Sequence, residues 1–137
     1  MPTAIVLYLG QLRTEALHVA SENQIITDAP TDNHGQGQAF SPTDLVASAL
    51  ASCLFTIMGI VADRHKLDIK GARAEVQKIM ADQPRRIGAI HVDITMPPAA
   101  ANFSPAERQM LENAARTCPV AKSLSADIQQ VINFQYP

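Results

Sequence analysis

Two cysteines, Cys53 and Cys118, carry most of the chemical potential of this chain of 137 residues. Cys53 lies inside an uncharged apolar run from Leu45 to Ala62, and Cys118 stands immediately before a proline in Thr117-Cys118-Pro119-Val120. They are far apart in sequence, so they form no CxxC redox motif, and two sulfurs cannot fill a four-ligand zinc site without added histidines. His18, His34, His65 and His91 are scattered without metal-type spacing, so neither a metal nor any other cofactor is implied. Three readings of the pair stand: a structural staple, a coincidence, or a reactive dithiol.

Each thiol also has a local reading. Pro119 suits the first position of a helix, which would set the Cys118 sulfur at a helix N-terminus, where free N–H groups favour a thiolate. The plainer alternative is a chain break with a small buried side chain. Cys53, among Ala49, Leu50, Ala51, Ser52, Leu54 and Phe55, has the surroundings of a small core hydrophobe, which raise a thiol pKa. Its helical neighbours Ala49, Leu50, Thr56 and Ile57 are uncharged, so an activating group must come from elsewhere in the fold. Arg13, in a turn between the first strands, is a candidate; a solvent-exposed turn arginine is the alternative.

The elements that must position these residues follow from periodicity and punctuation. Ile5–Leu9, Glu15–Ala20 and Gln24–Thr27 read as strands, and Asp28–Phe40, dense in Asp, Pro, Asn and Gly, as a long loop. Ser41-Pro42-Thr43-Asp44 and Ser104-Pro105-Ala106-Glu107 share one helix-start signature: serine N-cap, proline at the first helical position, carboxylate three residues after the cap. The first helix should run to about His65 and the second from Pro105 to Thr117, burying Met110, Leu111, Ala114 and Ala115. Ile69–Met80 and Ile87–Met96 read as long strands, Pro119–Ser125 as a helical turn and Ile128–Tyr136 as a last strand. In Ile87–Met96, Ile90, Val92, Ile94 and Met96 share one face. The order β-β-β-α-β-β-α-β indicates a single α+β domain over 1–137 with antiparallel strands around two helices. A long helix apolar on nearly all sides is more than one small chain can cover, so an obligate homodimer sharing its cores is expected.

The bulk numbers exclude several classes. Apolar residues make up 47% of the chain and charged residues 18%, which is not the composition of a disordered segment. A formal net charge of −2 and scattered basic residues lack the footprint of a nucleic-acid binder. The run Leu45–Ala62 is long enough to cross a membrane. It contains Ser48, Ser52, Thr56 and Gly59 and is bracketed by Asp44 and Asp63, so a buried core helix is expected and no membrane partner. Met1–Val6 shows no basic export signal, so a reducing cytoplasm is the expected setting, where persistent disulfides are rare.

The segments Ser41-Pro42-Thr43-Asp44-Leu45, Ala49-Leu50-Ala51-Ser52-Cys53 and Cys118-Pro119-Val120 together closely resemble the OsmC/Ohr family of thiol-dependent hydroperoxide reductases. The likeness extends through the Asp28–Gly37 loop and the order of elements, over nearly the whole chain. It implies an intertwined cytoplasmic homodimer with two central helices enclosed by strands. It implies that Cys53 attacks an organic hydroperoxide, that Cys118 resolves the resulting sulfenic acid as a disulfide, and that an external dithiol reduces it. Arg13 takes the place of the family's activating arginine. Where better-characterised branches carry a glutamate, this chain has Thr43; Asp44 beside it either orients Arg13 or only caps the helix. Leu45, Leu50 and Phe55 are expected to line an apolar substrate pocket. Two alternatives belong to other classes: a small-molecule-binding, stress-related domain of the same fold with sluggish thiols, and a Cys-His hydrolase using His91, for which no third orienting residue is evident.

Overall fold

A computed structural model describes residues 1–137, in two compact units, Met1–Val46 and Ala47–Pro137. The first unit is a three-stranded antiparallel sheet, β1 (Ala4–Gly10), β2 (Arg13–His18) and β3 (Gln24–Asp28). The β1–β2 connection is tight. Gly10, Gln11 and Leu12 follow one another at φ 85°, 53° and 62°, and the two non-glycine residues there cost backbone strain of order 1–3 kcal/mol each. Neighbouring bonds hold them: Leu12 N–H donates to the Tyr8 hydroxyl at 3.2 Å, and Leu12 O accepts Ala29 N–H at 3.0 Å.

After β3 the chain folds back on itself. A single 3-10 turn (Thr31–Asn33) brings Gly35 so close to Ala29 that a Cβ there would lie 1.8 Å from Ala29 O, so only glycine fits. Helix α1 (Pro42–Arg64) then starts on the capping box read from the sequence, Asp44 N–H donating to Ser41 Oγ (3.1 Å) and Ser41 N–H to the Asp44 carboxylate (3.0 Å).

In the second unit α1 buries Ala47, Leu50, Ala51, Leu54, Met58 and Ala62, a stripe at the three- and four-residue spacing of one helix face. Its length and composition alone would also suit a bilayer. The other side, at Ala49, Ser52, Thr56 and Ile60, stays exposed within the single chain. Strands β4 (Arg73–Ala81) and β5 (Arg86–Thr95) are antiparallel, and Ile90, Val92, Ile94 and Met96 are buried together as their alternation requires. Helix α2 (Pro105–Ala115) opens on the second capping box and buries Leu111 and Ala115, while Met110 and Ala114 are half-buried. A short helix α3 (Pro119–Ser123) leads to β6 (Gln129–Gln135). The Tyr136 hydroxyl, donating to Glu112 at 3.1 Å with Arg108 stacked 4.3 Å from its ring, ties the end of β6 to α2.

The α+β class and the order of elements are as the sequence implied. One pairing differs: β6 runs parallel to β5, where only antiparallel strands were expected. The chain leaves β5, crosses through a 3-10 turn, α2 and α3, and returns in the same direction, the crossover a parallel neighbour needs. The expected strand from Ile69 begins only at Arg73, because Gly71 at φ 91° turns the chain first.

Candidate active site

Cys118 is the N-cap of α3. Its backbone is extended (φ −65°, ψ 142°), Pro119 occupies the first turn, and the Ala121 N–H donates to its Sγ at 3.3 Å. The residue is fully buried, and burial outweighs that bond: the thiol is pushed above its usual range, and the neighbouring Cys53 adds to the rise, against the N–H groups of Ala121 and Val120. The sequence placed a helix N-terminus here correctly, but the expectation that it would favour a thiolate fails. Desolvation wins over the few N–H groups of a one-turn helix.

The influence of Cys53 on this thiol marks the two cysteines as neighbours. Cys53, half-buried on α1, is near enough to Cys118 to influence its titration, and both are free thiols. The fold therefore brings together the pair that sequence left far apart. Of the three residues expected to line an apolar pocket, one is ruled out as an exposed wall. Leu50 is fully buried in the core and cannot line an open pocket, whereas Leu45 and Phe55 keep partial exposure.

Within residues 1–46, Arg13 opens β2 directly opposite Asp28, the last residue of β3. The guanidinium meets the carboxylate side-on, Nε to Oδ1 at 2.7 Å and Nη2 to Oδ2 at 2.9 Å. Nη2 also donates to Gln38 Oε1 (2.8 Å) and Gln36 Oε1 (3.2 Å). Asp28 is fully buried, and its Oδ2 accepts the Gln38 N–H at 3.0 Å. The Arg13 hydrogen bonds first, and the Gln38 N–H after them, hold the Asp28 carboxyl below the usual range against the opposing effect of burial. Arg13 is correspondingly raised.

Arg13 is thus no free turn arginine, and the carboxylate that grips it is Asp28. Asp44 has the capping bonds described above. Asp28, Gln36 and Gln38 escaped sequence reasoning, although a signal was present. Antiparallel pairing of Leu17 with Gln24 carries through, residue by residue, to Arg13 opposite Asp28; strands drawn from Glu15 and to Thr27 stop just short of both. His18, His34 and His65 are exposed and His91 is half-buried on β5.

A family model described as "OsmC-like protein" matches residues 35–132. The chain belongs to the OsmC-like family. No curated protein matches it. Among solved structures, a candidate osmotic stress induced and detoxification response protein from Psychrobacter arcticus 273-4 is 49% identical, with a TM-score of 0.93 over 98% of this chain and 96% of that one. An organic hydroperoxide resistance protein OsmC from Legionella pneumophila (15% identity, TM-score 0.75, 98% of each chain) shares the fold. So does the organic hydroperoxide resistance protein OhrB of Bacillus subtilis (18% identity, TM-score 0.68, 98% of each chain).

Proposed function

We propose that this OsmC-like protein is a thiol peroxidase for organic hydroperoxides, working in a reducing cytoplasm. The observation that carries the reading is that a half-buried Cys53 neighbours a buried Cys118 whose thiol is pushed up, both of them free. The Cys53 thiolate attacks one peroxide oxygen, the O–O bond breaks, and the alkoxide leaves and takes a proton as the alcohol. Cys53 is then a sulfenic acid. The Cys118 sulfur attacks it, an S–S bond forms, and the sulfenic oxygen departs as water with the thiol proton. An external dithiol reduces the disulfide by exchange and is itself oxidised. Arg13, always protonated, is the group proposed to favour the Cys53 thiolate and to hydrogen-bond peroxide oxygen. The names of the Legionella and Bacillus proteins, both for organic hydroperoxide resistance, support the substrate class.

The working form is proposed to be a homodimer. Along β1, Ile5, Val6, Leu7, Tyr8 and Leu9 are 49–64% exposed, an uninterrupted apolar strand open on both faces. A second copy covering it, together with the exposed side of α1, removes a surface that a lone chain would leave in water.

Thiol titration after one equivalent of cumene hydroperoxide tests the cycle. Loss of two thiols per chain is expected, and none in Cys53→Ser. If wild type loses no thiol, or Cys53→Ser turns over peroxide as fast with a dithiol present, the proposal fails and a binding role for the fold takes its place.

A further inference from the structure

We propose that Asp28, with Gln36 and Gln38, positions Arg13 for the reaction, so that the guanidinium works as a fixed hydrogen-bond donor through one remaining nitrogen, Nη1. This rests on the thiol peroxidase reading and assigns the residues that make its arginine competent.

The bonds around Arg13 leave it little freedom. Nε and Nη2 are engaged by Asp28, and Nη2 further by both glutamines; none of its hydrogen bonds involves Nη1. Each holder is itself held. Asp28 N–H donates to Phe40 O at 3.1 Å while its carboxylate takes the Gln38 N–H. Gln36 Nε2 donates to Gln11 Oε1 at 2.8 Å, reaching the strained turn that precedes Arg13. Gly37 N–H to Ala29 O (3.2 Å) and the close approach at Gly35 fold the loop onto the same spot. The arginine is 31% exposed and the aspartate not at all, so the open edge of the group is guanidinium.

The chemistry of this arrangement differs from that of a free cation. A side-on carboxylate offsets most of the positive charge at short range but leaves the Nη1 N–H donors directional. An acceptor such as a peroxide oxygen gains from a donor fixed in advance, because no side-chain entropy is lost when the bond forms. Lysine could not replace it, since a point charge cannot be gripped side-on. Neither Thr43, which is uncharged, nor Asp44, which closes the capping box, is required for this hold.

The test uses the reduced full chain, with stopped-flow thiol loss on cumene hydroperoxide across the neutral pH range. Asp28→Asn keeps the size and removes the charge; its second-order constant is expected to fall about tenfold, the loss of one charge-assisted hydrogen bond, with a displaced pH profile. Asp28→Glu should recover part of that loss. Gln36→Ala/Gln38→Ala, both at exposed positions, should lose roughly threefold, a neutral bond's share, without a change in melting temperature. If Asp28→Asn fails to fold, the glutamine pair decides. Rates and profiles equal to wild type in the folded variants overturn the proposal, as does a loss matched by the unfolded fraction with the profile unmoved. Should wild type itself ignore the peroxide, the peroxidase reading falls, and the pH profile of Cys53 alkylation by iodoacetamide decides positioning. A profile displaced in Asp28→Asn, or in the glutamine pair where Asp28→Asn does not fold, upholds positioning; an unmoved profile overturns it.

Discussion

The thiol pair and the Arg13–Asp28 cluster hold reactive groups by opposite means. Around Cys118 the protein uses exclusion: a fully buried sulfur with one N–H at 3.3 Å, in a unit whose buried core includes Leu54, Met58, Leu111 and Ala115. Around Arg13 it uses bonds: four acceptor contacts to one guanidinium, each acceptor fixed in turn. Packing keeps a thiol protonated because charge is costly without water. Bonding keeps a charge in place because both partners stay ionised. The thiol region should therefore yield to changes of volume, and the arginine region to changes of charge and fork geometry.

The largest effect should come from Leu54→Ala, which empties a fully buried site beside Cys53 in sequence. A loss of about 2–5 kcal/mol in urea unfolding is expected, with slower disulfide formation after peroxide. A loss below 1 kcal/mol would break the packing half of the comparison. Next, Arg13→Lys keeps the charge and loses the fork. Peroxide reaction should fall roughly tenfold, in line with one charged hydrogen bond, while the alkylation rate of Cys118 does not change; equal peroxide rates for lysine and arginine would show that charge alone matters. A third, smaller effect is on acid stability. The Asp28 carboxyl is depressed when folded, so its contribution is complete above the unfolded value of about 3.9 and fades as pH falls through the lower folded value. Below about pH 4, Asp28→Asn should lose less stability than wild type in melting experiments. The smallest concerns Cys118. Its raised pKa means that only the unfolded thiol ionises just above about pH 8.5, so stability is complete below that point and declines as pH rises towards the folded value. Cys118→Ala should flatten that alkaline decline, and a slope unchanged by the substitution would refute the assignment.

Much of this was legible in the sequence. Capping boxes at Ser41 and Ser104 and the alternation in β5 fixed α1, α2 and one core face, because caps and periodicity are local. The direction of β6 was not legible, since it depends on where the crossover through α2 and α3 docks. At the site, Cys53 and Cys118 were found by type and context. Their partners were not. Asp28 sits at the edge of a loop dense in polar residues, and only register across β2 and β3 singles it out. The sign of the Cys118 shift was also hidden, because burial is a property of the folded core.

The strained turn Gly10-Gln11-Leu12 sets a rule for how this protein can vary over time. The register of Arg13 opposite Asp28 belongs to the β2–β3 hairpin, but the first turn is what meets the loop, through Leu12 O with the Ala29 N–H and Gln11 with Gln36, so an insertion or deletion there would break the bonds that hold the loop and its glutamines against Arg13. The turn from Val19 to Asn23, which bears no such bonds to the loop, lies at the other end of β2 and β3. Length is then the inherited quantity at the first turn, more than residue identity. Relatives that keep the arginine should differ there by substitution and almost never by gaps.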